Sequence, residues 1–469
     1  MSLAAPATIW DRTRLGITIG SVVLIFLAAI EALAVTTVMP IVSDDLNGEA
    51  LFAVAFSGTL ATGVIGMVAA GAWSDRSGPR VPLYTAVVLF TIGLIVSGLA
   101  PDMYTFIAGR LIQGLGAGGQ TVALYVVVAR IYPPELHGRI FAAFAAAWVV
   151  PSMIGPFLAG AVAEFLHWRW AFLGVAVLTV LAFVLVVVRL RKVSLDAAGN
   201  AADPAIGGTA DSDSDEPVPS GSRIGVRLLL AVIVAVSAVA VGFAAEAPPA
   251  IGWPAALAAV VVLGFAILRL LPPGTLRARR GLPSVILMRG LAAGSFFAAE
   301  AYVPKLLMDR FDFSPTIAGL ALTVAALAWS GASAVQGRYG DRLGSTRIVT
   351  ISIPLLLAAV LGMLVVSASG ELPWLAVVGW GFAGAGMGLL YPRLTVLTLA
   401  YSNPTNEGFN SSALSISDST GSAVTIAIAG LVFLAFPLAG SGFPGVYLFT
   451  GALLMISLIP GLRLGDGSR

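Results

Sequence analysis

The sequence contains no cysteine among its 469 residues and only two lysines, Lys192 and Lys305. The absence of cysteine excludes disulfides and any metal or redox centre that depends on thiolates. A phosphate-binding loop of the form GxxxxGK[ST] needs a lysine in that context, and neither lysine has it, which argues against ATP hydrolysis. The two histidines, His137 and His167, fall at predicted helix ends. Because no nucleophile–base–acid constellation is present, we expect no enzyme, no cofactor and no bound metal.

Charged residues are also scarce, at 11%, whereas 58% of residues are hydrophobic and the mean hydropathy is +0.96. A soluble fold could not bury this much apolar surface, so lipid must cover it. Long apolar runs predict an all-α membrane protein, since each span needs about 20 apolar residues. The first run is too long for a removable signal peptide and is interpreted as a retained span. The net charge of +2 gives no reason to expect a nucleic-acid partner.

The apolar runs predict fourteen spans in groups of six, two and six. Between the first two groups lies a stretch rich in acids and small residues, which cannot form a core and is interpreted as a disordered cytoplasmic linker. The predicted domains are a first bundle (1–192), the linker (193–222), two additional helices (223–281) and a second bundle (282–469). The spans lie near 16–40, 51–73, 82–100, 103–131, 138–163, 170–190, 226–246, 251–271, 283–307, 315–337, 346–368, 373–400, 410–436 and 444–463.

The distribution of Lys and Arg predicts the orientation. If the N-terminus is cytoplasmic, nearly all basic residues outside the membrane, Arg289 among them, lie on the cytoplasmic side. The positive-inside rule favours this topology, which places both termini in the cytoplasm of a multi-pass protein in the cytoplasmic (inner) membrane. The basic residues left on the other side are Arg169, Lys305 and Arg310.

Two charged stretches interrupt the apolar pattern at equivalent places. "GAWSDRSGPR" (71–80) follows the second span of the first group, and "GRYGDRLGSTR" (337–347) follows the second span of the last group. Glycine ladders repeat in the same way, in "GRLIQGLGAGGQ" (109–120) and "GWGFAGAGMGLL" (379–390). The spacing predicts tight helix packing and a cytoplasmic latch whose charges form contacts in one conformation and lose them in another.

These stretches resemble motifs of the major facilitator superfamily, and the two additional helices resemble its fourteen-span drug:proton antiporter branch. "PSMIGPFLAG" (151–160) is similar to the fifth-span antiporter motif, and "EALAVTTVMP" (31–40) to the first-span motif with Glu in place of the usual Asp. "HWRWAF" (167–172) resembles the usual start of span 6. The resemblance implies two pseudo-symmetric six-helix bundles around a central cavity. The gating residues it implies are Gly71, Asp75, Arg76, Gly78, Arg80, Asp341, Arg342, Gly344, Gly155 and Pro156.

Charged residues inside predicted spans are candidates for proton coupling, since a charge at bilayer depth costs several kcal/mol unless it is paired or hydrated. We expect Glu31 to be the principal proton carrier and Arg110 its partner; a static ion pair is the alternative. Glu300 is a second protonation site or binds substrate, and Asp418 couples protons or is satisfied by helix-to-helix hydrogen bonds. Arg393 is expected to snorkel to the interface.

The leading hypothesis is a proton-coupled exporter (antiporter) of amphipathic drugs or lipid-like small molecules, with protons, the substrate and membrane lipid as its partners. We expect it to function as a monomer. A symporter of a small metabolite or sugar is the alternative, and a lipid-modifying enzyme or scaffold is a third. Candidate substrate-binding residues are Gln113, Gln120, Trp148, Phe296, Phe297, Tyr302, Trp329 and Tyr391.

Overall fold

The computed structural model describes residues 15–132, 134–190, 221–402, 407–435, 438 and 441–465. This part of the chain contains 14 helices that are long and apolar enough to cross a membrane, as predicted. They are α1 (Leu15–Asp45), α2 (Phe52–Ser77), α3 (Arg80–Gly98), α4 (Met103–Ile131), α5 (Pro134–Phe165), α6 (Arg169–Leu190), α7 (Gly221–Phe243), α8 (Pro249–Leu270), α9 (Leu282–Phe311), α10 (Pro315–Gly340), α11 (Arg342–Ser369), α12 (Pro373–Ala400), α13 (Glu407–Ala435) and α14 (Phe443–Gly461).

In the first half, α4 packs between α2 and α3 through its glycines. Gly114 and Gly118 lie against the carbonyl oxygens of Thr59 and Gly63 on α2, whereas Gly116 lies against α3. A Cβ at any of the three glycines would overlap backbone atoms of the neighbouring helix. The backbones can therefore approach this closely only because side chains are missing there.

The second half repeats this packing in the same register. Gly384 and Gly388 of α12 lie against the carbonyl oxygens of Ala325 and Trp329 on α10, and Gly386 lies against Ser352 on α11. Each contact has a counterpart in the first half, with one constant offset between the two sets of glycines and another between the residues that they meet. The repeat predicted from the glycine ladders is therefore present in the packing of the helices.

Two glycines with the same unusual backbone lie in the charged stretches, Gly78 at the end of α2 and Gly344 near the start of α11. Gly78 has φ 80° and ψ 163°, and Gly344 has φ 73° and ψ 160°. This region of backbone space is essentially restricted to glycine. The glycine in each charged turn thus redirects the chain from one span into the next. The end of the bundle that holds both turns is called the turn end, and the other is called the opposite end.

The two additional helices lie on the seam between the halves. α7 packs against α2 of the first half and α13 of the second, and Gly242 of α7 lies against Val54 of α2. Val241 and Ala244 form an apolar cluster with Ala427 and Leu431 of α13. The helix α7 begins at Gly221, two residues before the predicted boundary. Most of the predicted linker (residues 193–220) lies outside the described residues, as do Arg12, Arg14, Arg191, Lys192 and Arg469.

The halves are joined closely at the opposite end. Gly160 of α5 lies against the Pro315 carbonyl of α10, and Gly319 lies against the Pro156 carbonyl. The Glu164 carboxylate accepts a hydrogen bond of 3.3 Å from the Thr316 backbone N–H. These contacts hold the opposite end shut.

The turn end is open by comparison. Asp75, Arg76, Arg338 and Arg342 are exposed there, and the space beside Gly337 is empty. We infer that the structure shows the protein closed at the opposite end and open at the turn end.

Candidate functional site

A buried ion pair between α1 and α4 lies at the centre of the first half. The Arg110 guanidinium bonds the Glu31 carboxylate, and the two side chains are 4% and 5% exposed. Arg110 also donates to the Ala55 carbonyl of α2 at 3.2 Å and to Gln113 Oε1 at 2.7 Å. This network satisfies the charge of both partners without water and ties three helices together.

A cavity of about 250 Å³ lies nearer the turn end, between α1, α4 and α5. Its wall is apolar and aromatic, and the Tyr125 and Phe144 rings stack with their centroids 6.1 Å apart. Gln120 lies at this wall and donates to the Leu24 carbonyl at 3.1 Å. Two of the predicted substrate residues, Gln120 and Trp148, therefore line one cavity. The lining residues are Ile25, Ala28, Gln120, Thr121, Tyr125, Phe144 and Trp148.

In the second half, four aromatic side chains form a continuous row. Phe296 stacks on Trp380 with a centroid distance of 5.6 Å and also contacts Trp329 at 5.4 Å. Trp329 in turn contacts Tyr391 at 5.2 Å. The row begins beside Glu300, whose carboxylate accepts a hydrogen bond of 3.3 Å from the Trp380 indole N–H.

The same row ends at an ion pair that the sequence did not predict. Arg289 of α9 bonds the Asp418 carboxylate of α13 at 3.0 Å, and the Tyr391 hydroxyl donates to the same carboxylate. The Arg289 guanidinium also lies 3.3 Å from the centre of the Tyr391 ring. Arg289, which the sequence analysis assigned to the cytoplasmic side, lies eight residues into α9, and only 14% of its side chain is exposed. Its position within the predicted span 283–307 was the available signal that it could be buried.

Other predicted candidates occupy different places. Tyr302 is 1% exposed and packs between Phe52 and Phe433 at the opposite end, so it stabilises the closed end and does not line the cavity. Phe297 contacts Phe296 at one edge of the aromatic row. Arg393, which was expected to snorkel to the interface, is 6% exposed and donates to the Ser345 hydroxyl beside the charged turn at 3.1 Å.

Lys305 forms the main polar contact between the halves at the opposite end. Its ammonium group bonds Glu49 of the first half at 3.3 Å and Asp309 of its own helix at 2.8 Å, and its side chain is 2% exposed. The rings of Phe52 and Phe433 flank it. Because Glu49 and Lys305 belong to different halves, this pair must separate whenever the opposite end opens.

At the turn end, the arginines satisfy helix carbonyls. Arg80 donates to the Leu190 carbonyl at the end of α6 at 3.1 Å, and Arg130 donates to the Ser74 carbonyl at 3.2 Å. A positively charged side chain is stabilised at the C-terminal end of a helix, because that end of the helix dipole is negative. The side chain of Asp341 lies outside the described residues.

The fourteen helices, the repeat between the halves and the buried charges are those of a multi-pass all-α membrane protein. The chain belongs to the Major Facilitator Superfamily, whose family profile matches residues 21–378 and 285–466.

Proteins of similar sequence match this chain over different shares of its length. An uncharacterized transporter of Schizosaccharomyces pombe is 31% identical over 33% of this chain, and the match spans only 26% of that relative. A probable multidrug-efflux transporter of Mycobacterium tuberculosis is 26% identical over 84% of this chain and 83% of the relative. The solved structure of a D-xylose–proton symporter matches with a TM-score of 0.66 and 15% identity, covering 97% of this chain and 98% of that one. This last likeness concerns the fold alone.

Proposed function

We propose that the protein is a proton-coupled exporter that exchanges protons for amphipathic drugs or lipid-like molecules by alternating access. The observation that supports this most strongly is a pair of carboxyl groups, Glu31 and Glu300, at bilayer depth on the first helix of each half. Acids at this depth are costly and are expected to serve function. A buried carboxyl group whose surroundings change between two openings can bind a proton on one side and release it on the other.

The proposed orientation places the turn end in the cytoplasm. This follows from the concentration of basic residues in the turns and loops at that end. The cavity in this structure then opens toward the cytoplasm, or toward the inner leaflet of the cytoplasmic membrane, as an exporter requires before it takes up substrate.

The cavity wall supports an amphipathic substrate. None of its lining residues carries a charge, and its largest side chains are Tyr125, Phe144 and Trp148. Apolar and aromatic walls bind apolar surface with little directional selectivity. The name of the mycobacterial relative, a probable multidrug-efflux transporter, agrees with weak selectivity. A sugar symporter would need a more polar wall.

Everted membrane vesicles test this proposal. With an imposed proton gradient, adding substrate to the wild-type protein should dissipate the gradient, because each substrate taken up is exchanged for protons. The variant that combines Glu31→Gln with Glu300→Gln should lose this response when it is compared with the wild type at equal amounts of inserted protein. Glu371→Gln changes an exposed glutamate and should respond as the wild type does.

Two other outcomes would contradict the proposal. Substrate uptake with protons moving in the same direction would indicate the symporter. Absence of any substrate-dependent proton movement in the wild type, with every candidate compound, would leave no support for proton coupling.

A further inference from the structure

The two halves carry an acid and its partner at equivalent positions. Glu31 on α1 bonds Arg110 on α4, and Glu300 on α9 accepts from Trp380 on α12. The glycine ladders fix the equivalence of the partners, because Arg110 follows Gly109 and Trp380 follows Gly379 at the same place in each ladder. Where the first half has an arginine, the second half therefore has a tryptophan.

The difference between Arg110 and Trp380 gives the two acids different electrostatic surroundings. The Arg110 guanidinium supplies a positive charge directly beside the Glu31 carboxylate. An indole N–H is a neutral donor and offers Glu300 one hydrogen bond but no compensating charge. A carboxylate without such a charge at this depth is disfavoured by several kcal/mol, which favours binding of a proton.

The buried charged residues on the helices packed around α9 are bonded to groups other than Glu300, and Arg338, Arg342 and Arg347 are exposed at the turn end. On α9 itself, Arg289 bonds Asp418 of α13, and Lys305 bonds Glu49 and Asp309. Arg393 of α12 bonds Ser345 at the turn end. On α1 and α4, Glu31 and Arg110 bond each other. Among the described residues, Glu300 has no ion-pair partner within 4.0 Å.

We propose that Glu300 carries the exchanged proton, whereas Glu31 serves as the fixed ion-pair partner of Arg110. This rests on the proposed proton coupling and departs from the sequence pattern, which favours Glu31. The Glu300 carboxylate forms an O–H bond with a proton that arrives from the side opposite the cytoplasm. The Trp380 indole N–H continues to donate its hydrogen bond to the carboxyl oxygen. The same O–H bond breaks when substrate enters the cavity that faces the turn end, and the displaced proton leaves to cytoplasmic water.

Infrared difference spectroscopy of the full chain in lipid nanodiscs tests this during a pH titration. The wild type should show a C=O band of a protonated carboxyl group that disappears as the pH rises. The band should be absent in Glu300→Gln and present in Glu31→Gln. The reverse result, with the band lost only in Glu31→Gln, would overturn the proposal.

Variants of Trp380 test the role of the missing charge. Trp380→Arg introduces the residue that the first half carries, and it should lower the midpoint of the titration by about one to three pH units. Trp380→Phe removes the N–H donor to the carboxylate while it keeps an aromatic ring beside Phe296, and it should raise the midpoint. A midpoint that moves in neither variant would contradict the proposal. If Trp380→Arg fails to fold, Trp380→Phe and Glu300→Gln still decide the question.

This measurement is independent of transport. Should wild-type vesicles show no substrate-dependent proton movement while the Glu300 band titrates as described, the proposed exchange function fails and the protonation site stands. Should the vesicles show exchange but the band belong to Glu31, the function stands and this inference fails.

Discussion

The ion pair between Arg289 and Asp418 joins α9 to α13 inside the second half. The Tyr391 hydroxyl adds a hydrogen bond to the same carboxylate, and its ring lies beside the guanidinium. Removal of one partner leaves the other charge without compensation in a low-dielectric region, which costs more than the loss of a solvated pair. The cluster therefore acts as a fixed cross-link between helices.

Replacement of Asp418 should therefore lower the stability of the protein. Asp418→Asn keeps the shape of the side chain but removes the charge that faces Arg289, and it should destabilise the protein by about 2 kcal/mol. The thermal midpoint of unfolding in detergent micelles should fall accordingly. Asp312→Asn is the matched control, because Asp312 is exposed and asparagine tolerates its left-handed backbone (φ 54°). Equal midpoints for both variants would show that the cluster contributes nothing to stability.

Buried acids can be found from the sequence, because a single charge in an apolar run is conspicuous. Glu31, Glu300 and Asp418 were all found in this way. Their partners depend on which helices become neighbours, and only the pairing of Glu31 with Arg110 followed from a family resemblance. Arg289 lies eight residues into α9 and within the predicted span 283–307, but the sequence does not show how deep an arginine near the end of a span lies.

At the scale of the elements, glycines determine how closely helices approach. The contacts of Gly118 with Gly63 on α2 and of Gly388 with Trp329 on α10 are equivalent in the two halves. In a membrane, helices associate mainly through such packing, since lipid is as apolar as the side chains. Loss of the contact should therefore separate α4 from α2.

Gly118→Ala tests the packing of α4. Its new Cβ would overlap the backbone of Gly63, so one helix must shift, and overpacking of this kind typically costs about 1–3 kcal/mol. The yield of monodisperse protein by size-exclusion chromatography should fall. Gly174→Ala on α6 is the control, because nothing lies within 4 Å of its added Cβ. A normal yield from Gly118→Ala would argue against the described packing.

The helices themselves were predicted well, since each span is a long apolar run bounded by charged or glycine-rich turns. All fourteen spans are present with boundaries shifted by a few residues. The position of α7 on the seam between the halves was not predictable in detail. It depends on complementary surfaces of α2 and α13. The apolar sequence of a lipid-facing helix gives little indication of which helices it packs against.

At the scale of the whole molecule, the two halves are closed at one end and open at the other. The Lys305–Glu49 ion pair and the close contacts between α5 and α10 hold the opposite end. Sequence analysis predicted two similar halves, because the repeat is visible in the charged turns and glycines. It gave no indication of which end is closed, since one sequence must allow both states.

The central claim is that the halves rock so that one end closes whenever the other opens. Pulsed electron paramagnetic resonance measures this directly, because the chain contains no cysteine and spin labels can be attached at chosen sites only. One pair is Ser77→Cys with Thr346→Cys at the turn end, and the other is Leu166→Cys with Leu372→Cys at the opposite end; all four positions are exposed. As pH and substrate concentration are varied, populations with a shorter turn-end distance should have a longer opposite-end distance. Distances that lengthen together, or that do not change under any condition, would contradict the account.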